Sequence, residues 1–195
     1  MAFTDVMCDI ETTGTNPGVN GIIQIAAIKF NYLTGEVGGH FDRSLHLPYG
    51  RCWDEGTRTW WAGKDPEIYN GIVERAEPAD IVIRDFYEWS VIDAPHGGYR
   101  FWSKPLSFDF PFVSSYFAQF GYGNPYHYRH ARDMNTWIAA LKGDGPAHVD
   151  MSHIPFKGKA HNALVDTVHQ VRVLLAARNR DWGGDVVDAV YEEVK

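Results

Sequence analysis

The run Phe3-Thr4-Asp5-Val6-Met7-Cys8-Asp9-Ile10-Glu11 decides how this chain begins to fold. It has the apolar character of a buried strand, and it breaks at Thr12-Thr13-Gly14, which is typical of a turn. Side chains alternate between the faces of a strand, so Asp9 and Glu11 point to one face and Ile10 to the other. Two carboxylates on one face of a core strand repel each other and resist desolvation unless a cation lies between them. The pair therefore predicts a site for divalent metal ions.

A second Asp-x-Glu sequence, Asp65-Pro66-Glu67, has a different interpretation. Proline suits the first position of a helix, and acidic residues suit its first turn because of the helix dipole. This copy predicts the start of a helix and no metal site.

The composition is that of an ordinary globular protein, with 45% hydrophobic and 22% charged residues in a chain of 195. We expect one α/β domain over 1–195. No apolar run is long enough to span a bilayer, and the N-terminus lacks the pattern of a signal peptide. With only Cys8 and Cys52, no disulfide framework is expected, so a soluble, cytoplasmic protein without membrane contact is favoured. The net charge of −7 argues against a generally basic surface for binding nucleic acid. It still permits a nuclease, because metal ions neutralise clustered carboxylates locally.

Three strands in a meander are predicted first, followed by alternating helices and strands. The predicted strands cover 3–11, 22–30, 40–47, 99–103 and 128–130. Helices are predicted within 53–93 and over 107–120, 133–141 and 160–178, with a final amphipathic helix from Asp185. This order indicates an α/β fold in which helices flank a mixed sheet with an antiparallel opening meander.

Three further residues extend the acidic pair. Asp109 lies at the start of a predicted helix, and His161 and Asp166 lie at the start of the late helix. At about 100° per residue, positions five apart are separated by roughly 140° around a helix, so His161 and Asp166 cannot share a face in mid-helix. They converge only if His161 lies at or before the first turn. A loop histidine beside a fixed carboxylate suits a general base that must reach a water molecule.

The ordered set Asp9-x-Glu11, Asp109 and His161-x4-Asp166 resembles the DEDDh 3′-to-5′ exonucleases of the RNase H-like superfamily. The similarity spans about residues 4–175. Its sharpest part is Asp9-Ile10-Glu11-Thr12-Thr13-Gly14, which matches the first motif of the family residue for residue. Thr59-Trp60-Trp61 and the single-domain size are similar to the small stand-alone members of bacteria and tailed phages. Histidine at position 161, where proofreading-type relatives have tyrosine, identifies the subclass.

The resemblance implies an RNase H-like fold and a 3′-to-5′ exonuclease that releases nucleoside 5′-monophosphates from single-stranded RNA or DNA. By this resemblance, Asp9, Glu11, Asp109 and Asp166 hold two Mg²⁺ or Mn²⁺ ions, and Asp9 bridges them. All-oxygen ligands suit these hard cations. His161 orients or deprotonates the water that attacks the terminal phosphodiester. The location expected for a phage-encoded member is the host cytoplasm, and relatives of this subclass are often homodimers.

Residues beside the acidic set are candidates for binding the 3′-terminal nucleotide, and some of them also suit a plain strand-ending turn or the core. One of two adjacent tryptophans on a helix must point away from the other, so an exposed one can stack on a base. The candidates are Thr12, Thr13, Gly14, Trp60, Trp61 and Phe108. Candidate phosphate contacts, which are equally interpretable as ordinary surface charges, are Arg129, Arg132, Lys157 and Lys159.

Two other classes of protein remain as alternatives. A glycosidase uses paired carboxylates, but it needs neither four of them nor the late histidine. A catalytically silent nucleic-acid-binding domain could have the same fold, although it has no physical reason to keep mutually repelling carboxylates. The sequence leaves open the choice between RNA and DNA, because that depends on how the site treats a 2′-hydroxyl.

Overall fold

The computed structural model describes residues 2–143, 145 and 148–182, and a six-stranded sheet forms its centre. Strands β1, β2 and β3 form an antiparallel meander, whereas β5 pairs with β1, β6 with β5 and β4 with β3 in parallel. The order across the sheet is β4-β3-β2-β1-β5-β6. The predicted mixed sheet with an opening meander is therefore confirmed. The strands are β1 (Asp5–Thr12), β2 (Ile22–Phe30), β3 (Val37–Leu45), β4 (Ala76–Glu77), β5 (Arg100–Ser103) and β6 (Ala131–Asp133).

Helices cover both faces of β1. They are α1 (Glu55–Ala62), α2 (Pro66–Glu74), α3 (Ala79–Val91), α4 (Leu106–Gln119), α5 (Met134–Lys142) and α6 (Ala163–Arg178). Cys8 and Ile10 belong to a hydrophobic cluster with residues of α3 and α4. Met7 points the other way, into a cluster with α5 and α6. Burial on both faces explains the nearly continuous apolar run of β1. Among the residues that the structure describes, no helix is long and apolar enough to cross a bilayer.

Some element boundaries differ from the predictions because side chains form local caps. The predicted strand at 128–130 is a 3₁₀ turn, in which the N–H of Arg129 donates to Nδ1 of His127 at 3.2 Å. The short parallel strand β6 follows it directly. Asp133 caps α5 as predicted, and it also accepts the N–H of Leu106 at 2.9 Å, so α4 begins one residue before the predicted N-cap, Ser107. Strand β3 begins at Val37 and ends at Leu45.

The late helix begins at Ala163 and not at Ala160. Asn162 is its N-cap and accepts the N–H of Val165 at 3.2 Å. His161 has φ of +65°, a left-handed conformation that a helix cannot contain. The final helix predicted from Asp185 lies outside the described residues.

The fold places the start of α6 beside the end of β1. Gln24 of β2 is fully buried, and its side-chain oxygen accepts the N–H of Ala163 at 3.1 Å. This hydrogen bond satisfies one of the free N–H groups at the helix start and ties the helix to the sheet. The N-terminal turns of α4 and α6 therefore meet the carboxyl end of β1, the edge of an α/β sheet where ligands usually bind.

Candidate active site

Three of the predicted metal ligands lie together at the carboxyl end of β1. Asp9 and Glu11 project from one face of the strand, and Asp166 lies in the first turn of α6. One carboxylate oxygen of each lies within 4.8 Å of the others. A single hard cation can contact all of them, since Mg²⁺, Mn²⁺ and Ca²⁺ prefer oxygen ligands.

Asp109 is buried in the first turn of α4, next to this trio of carboxylates. Its Oδ1 accepts the N–H of Ile10 at 3.2 Å, which holds the side chain beside β1. Its Oδ2 is buried and forms no hydrogen bond of good geometry, although the nearby side chain of Ser103 lowers the pKa of Asp109. Because burying a poorly paired polar atom costs free energy, a cation or water bound at this oxygen would be favourable.

The environment of these four acidic side chains disfavours their charged forms and so raises their pKa values. Burial raises the pKa of Asp9 well above its ordinary value, and the charges of Asp109, Glu11 and Asp166 raise it further. Burial, with the charges of Asp166 and Asp109, raises the pKa of Glu11 to about 8. Burial also raises the pKa of Asp109 to about 7 and that of Asp166 above its ordinary range. Without a cation, the group therefore retains protons at neutral pH.

Asp5 provides an internal comparison, because it lies on the same face of the same strand and is fully buried. Its carboxylate accepts hydrogen bonds from Arg100 at 2.6 Å and from Nε1 of Trp102 at 2.7 Å. Asp9 and Glu11 have no ion-pair partner among the described residues. The protein thus compensates one buried acid internally and leaves the carboxylates at the other end of β1 for an external cation.

His161 lies beside this acidic group, at the position that the five-residue spacing required. Its backbone N–H donates to Oδ2 of Asp166 at 2.8 Å, so the loop before α6 is fastened to the carboxylate. The imidazole meets the ring of Trp60 edge to face, with 4.8 Å between centroids. Burial, and then the positive charge of Lys64, lower the pKa of His161. The imidazole is therefore neutral at physiological pH and able to accept a proton.

A groove of about 460 Å³ opens next to the carboxylates. Its lining includes Glu11 and the aromatic side chains of Trp60 and Phe108. Trp60 is 42% exposed, whereas Trp61 is only 5% exposed and donates its Nε1–H to the carbonyl of Thr12 at 3.1 Å. Trp60 is thus the tryptophan available to stack on a base, and Trp61 supports the turn after β1.

The turn after β1 uses its hydroxyl groups internally. The hydroxyl of Thr12 donates to the carbonyl of Gly14 at 2.7 Å. The hydroxyl of Thr13 donates to the carbonyl of Cys52 and accepts the N–H of Gly21, both at 2.8 Å. A Cβ at Gly14 would lie 2.3 Å from the side chain of Asn20, so glycine is required for packing here. Thr12 and Gly14 line the groove, and Thr13 acts on the shape of the turn.

The candidate phosphate contacts have varied surroundings. Lys159 forms ion pairs with Asp65 at 2.7 Å and with Glu67 at 2.5 Å, and so attaches the loop that carries His161 to the start of α2. The guanidinium of Arg132 donates to the carbonyl of Arg129 at 2.8 Å. Asp65 and Glu67 form the start of α2, as the sequence predicted.

Gln170 is a site residue that the sequence interpretation missed. Its Nε2 donates to Oδ1 of Asp9 at 2.7 Å, and its side-chain oxygen is buried without a hydrogen-bond partner. Gln170 lies four residues after Asp166, and hence on the same face of α6. That spacing was the available signal in the sequence. The hydrogen bond to Asp9, however, depends on how α6 packs on β1.

The family follows from comparison with known proteins. The model of the Rv2179c-like 3′-5′ exoribonuclease domain matches residues 4–177. The chain belongs to this family. It is thereby placed among the DEDD-type 3′-5′ exonucleases of the RNase H-like superfamily. No curated protein matches the sequence.

Solved structures share the fold at low sequence identity. Exonuclease I of E. coli, in a zinc-bound complex with single-stranded DNA, has a TM-score of 0.66 at 15% identity over 93% of this chain and 42% of that chain. Cell-death related nuclease 4 has a TM-score of 0.64 at 15% identity, over 94% of this chain and 66% of that chain. The predicted RNase H-like fold is confirmed. This chain spans less than half the length of exonuclease I.

Proposed function

We propose that this protein is a metal-dependent 3′-to-5′ exonuclease of the DEDDh subclass that acts on single-stranded RNA or DNA and releases nucleoside 5′-monophosphates. The observation that supports this most strongly is the clustering of Asp9, Glu11 and Asp166. Among the residues that the structure describes, Asp9 and Glu11 have no ion-pair partner. The family description names RNA, and exonuclease I is bound to single-stranded DNA. RNA is therefore the first substrate to assay, with DNA beside it.

The donor set fits divalent cations. The carboxylates of Asp9, Glu11, Asp109 and Asp166 would hold two Mg²⁺ or Mn²⁺ ions, and the unpartnered Oδ2 of Asp109 is an oxygen free to take part. When bound, such a pair of ions stabilises the negative charge on the attacking and leaving oxygens of an in-line displacement at phosphorus. The carboxylates then remain charged at neutral pH, because the cations remove the repulsion that raises their pKa.

His161 supplies the proton acceptor in this proposal. Its neutral imidazole takes a proton from the attacking water and later releases it to solvent. The hydrogen bond from its N–H to Asp166 and the contact with Trp60 limit where the imidazole can move. The hydrogen bond from Gln170 holds Asp9 in one orientation, which keeps the geometry of this carboxylate fixed during turnover.

The groove supports cleavage at a strand end. Trp60 and Phe108 offer aromatic surfaces for the terminal base, and stacking of this kind tolerates every base. The turn of Thr12 and Gly14 brings backbone close to the sugar of that nucleotide. A substrate with a 3′-phosphate should therefore resist degradation, whereas a 5′-phosphate should have little effect.

The alternative of a silent nucleic-acid-binding domain is weaker, because the buried carboxylates cost free energy and a binding domain does not need them.

The test of the proposed function incubates RNA and DNA strands labelled at the 5′ end with Mg²⁺ or Mn²⁺. A descending ladder with release of 5′-monophosphates supports the proposal, and Asp9→Asn should abolish it while the protein remains folded. Cleavage of circular strands as fast as linear ones would show an endonuclease instead.

A further inference from the structure

A second pocket, here called the cation–aromatic pocket, lies on the other side of α1 from the groove. Its volume is about 230 Å³, and its lining includes Trp53, Arg58, Trp61, Lys64, Tyr69 and Asn70. It shares Trp61 with the groove of Trp60, so α1 forms the ridge between them. Its size suits a small planar group, since pockets for drug-sized ligands are about 300–1,000 Å³.

The chemistry of this pocket combines aromatic rings with positive charge. The guanidinium of Arg58 lies 5.4 Å from the ring centroid of Trp53. The ring centroids of Trp53 and Tyr69 are 6.0 Å apart, in an edge-to-face arrangement. The ion pair of Arg58 with Glu55 is 3.6 Å long and exposed, so it contributes little and leaves the guanidinium accessible. Aromatic faces interleaved with cations are the usual means of holding unpaired bases and their phosphates.

Lys64 connects the pocket to the groove. It lines the cation–aromatic pocket, while its Nζ lies 4.2 Å from the ring centroid of Trp60, which is on the groove side. A cation in this position can contact a phosphate that passes over the end of α1. The described lining of this pocket contains the two cations Arg58 and Lys64 and no acidic side chain, which favours an anionic ligand such as a nucleic-acid strand.

We propose that the cation–aromatic pocket holds a base of the substrate strand upstream of the 3′-terminal nucleotide, while Lys64 contacts the connecting backbone. This inference rests on the proposed exonuclease function. A helix with its side chains is about 10 Å across, so the base that enters the pocket lies among positions 2 to 4, counted from the 3′ end. The pocket therefore sets a minimum length for tight binding, and it accepts any base.

The first test measures KM for strands in which a single abasic site is placed at each of positions 2 to 4. One position should raise KM about five-fold or more in the wild-type protein, because a base–aromatic stack is lost. Arg58→Gln and Trp53→Leu should raise KM for the intact strand and abolish the sensitivity to the abasic site. Arg84→Gln, at an exposed arginine of α3 that contacts Asp85, is the matched control and should behave as wild type. Absence of a sensitive position, or sensitivity that survives in both pocket variants, overturns the proposal.

The second test separates this inference from the proposed function. Strands with 2-aminopurine at each of positions 2 to 4 are bound to His161→Ala protein in Mn²⁺, and fluorescence is recorded. Quenching at one position, lost when Arg58→Gln or Trp53→Leu is added, supports the pocket even if no hydrolysis is found. Equal fluorescence with and without these changes contradicts it. Adenosine 5′-monophosphate that binds as tightly as the strand, and with the same dependence on Arg58, would make this a mononucleotide site and also overturn the proposal.

Discussion

Glu11→Gln should stabilise the metal-free protein at pH 8 and have little effect at pH 5. The folded state raises the pKa of Glu11 from 4.5 to about 8, so it binds a proton more tightly than the unfolded chain. The resulting stability is present below pH 4.5 and is lost as pH rises to about 8. At about 1.4 kcal/mol for each tenfold change in proton affinity, burying the charged form at pH 8 costs roughly 4 to 5 kcal/mol. Glutamine keeps the shape of the side chain and removes this charge, so we expect a gain of about 2 to 4 kcal/mol.

The assay is urea unfolding followed by tryptophan fluorescence, in EDTA, at pH 5 and pH 8. Glu74→Gln, at the exposed end of α2, is the control for loss of an ordinary glutamate and should match wild type at both values. Mn²⁺ should then raise the stability of the wild-type protein at pH 8 more than that of Glu11→Gln, because a metal ligand is missing in the variant. A metal-free wild-type protein that is equally stable at pH 5 and pH 8, or a Glu11→Gln protein that is less stable at pH 8, would refute this reasoning.

The other predictions concern residues around the carboxylates. His161→Ala should reduce the rate about 10²- to 10⁴-fold while retaining metal binding, and an unchanged rate would contradict the role of His161. Because the pKa of His161 is lowered, the wild-type rate should fall only below about pH 6.5. Gln170→Leu removes the 2.7 Å hydrogen bond to Asp9, and calorimetry should show Mn²⁺ affinity weaker by about 10- to 100-fold; wild-type affinity would show that Asp9 needs no such support. Trp60→Ala should raise KM by about five-fold or more with a smaller change in kcat, and an unchanged KM would exclude Trp60 as the stacking surface.

Local pattern was sufficient to predict the framework of the fold and the acidic group. The alternation of β1 placed Asp9 and Glu11 on one face, and the spacing of His161 and Asp166 required a loop histidine before a helix. Both inferences depend on backbone periodicity, which acts over a few residues and is visible in the sequence. Boundaries were less accurate where a side chain forms a cap, as Asn162 does at α6.

The amino-acid sequence by itself determined the residues that carry the chemistry, but the tertiary structure decided how each is used. Only the packing of α6 on β1 brings Gln170 to Asp9. Only the tertiary fold brings the hydroxyl of Thr13 to the carbonyl of Cys52 and the N–H of Gly21. Lys159 was a candidate phosphate contact or an ordinary surface charge by sequence, and the structure shows its ion pairs with Asp65 and Glu67, more than 90 residues away in the chain. These contacts join segments far apart in sequence, and their geometry depends on the folding of the whole sheet. Hydrogen bonds and ion pairs of that kind leave no local periodicity to detect.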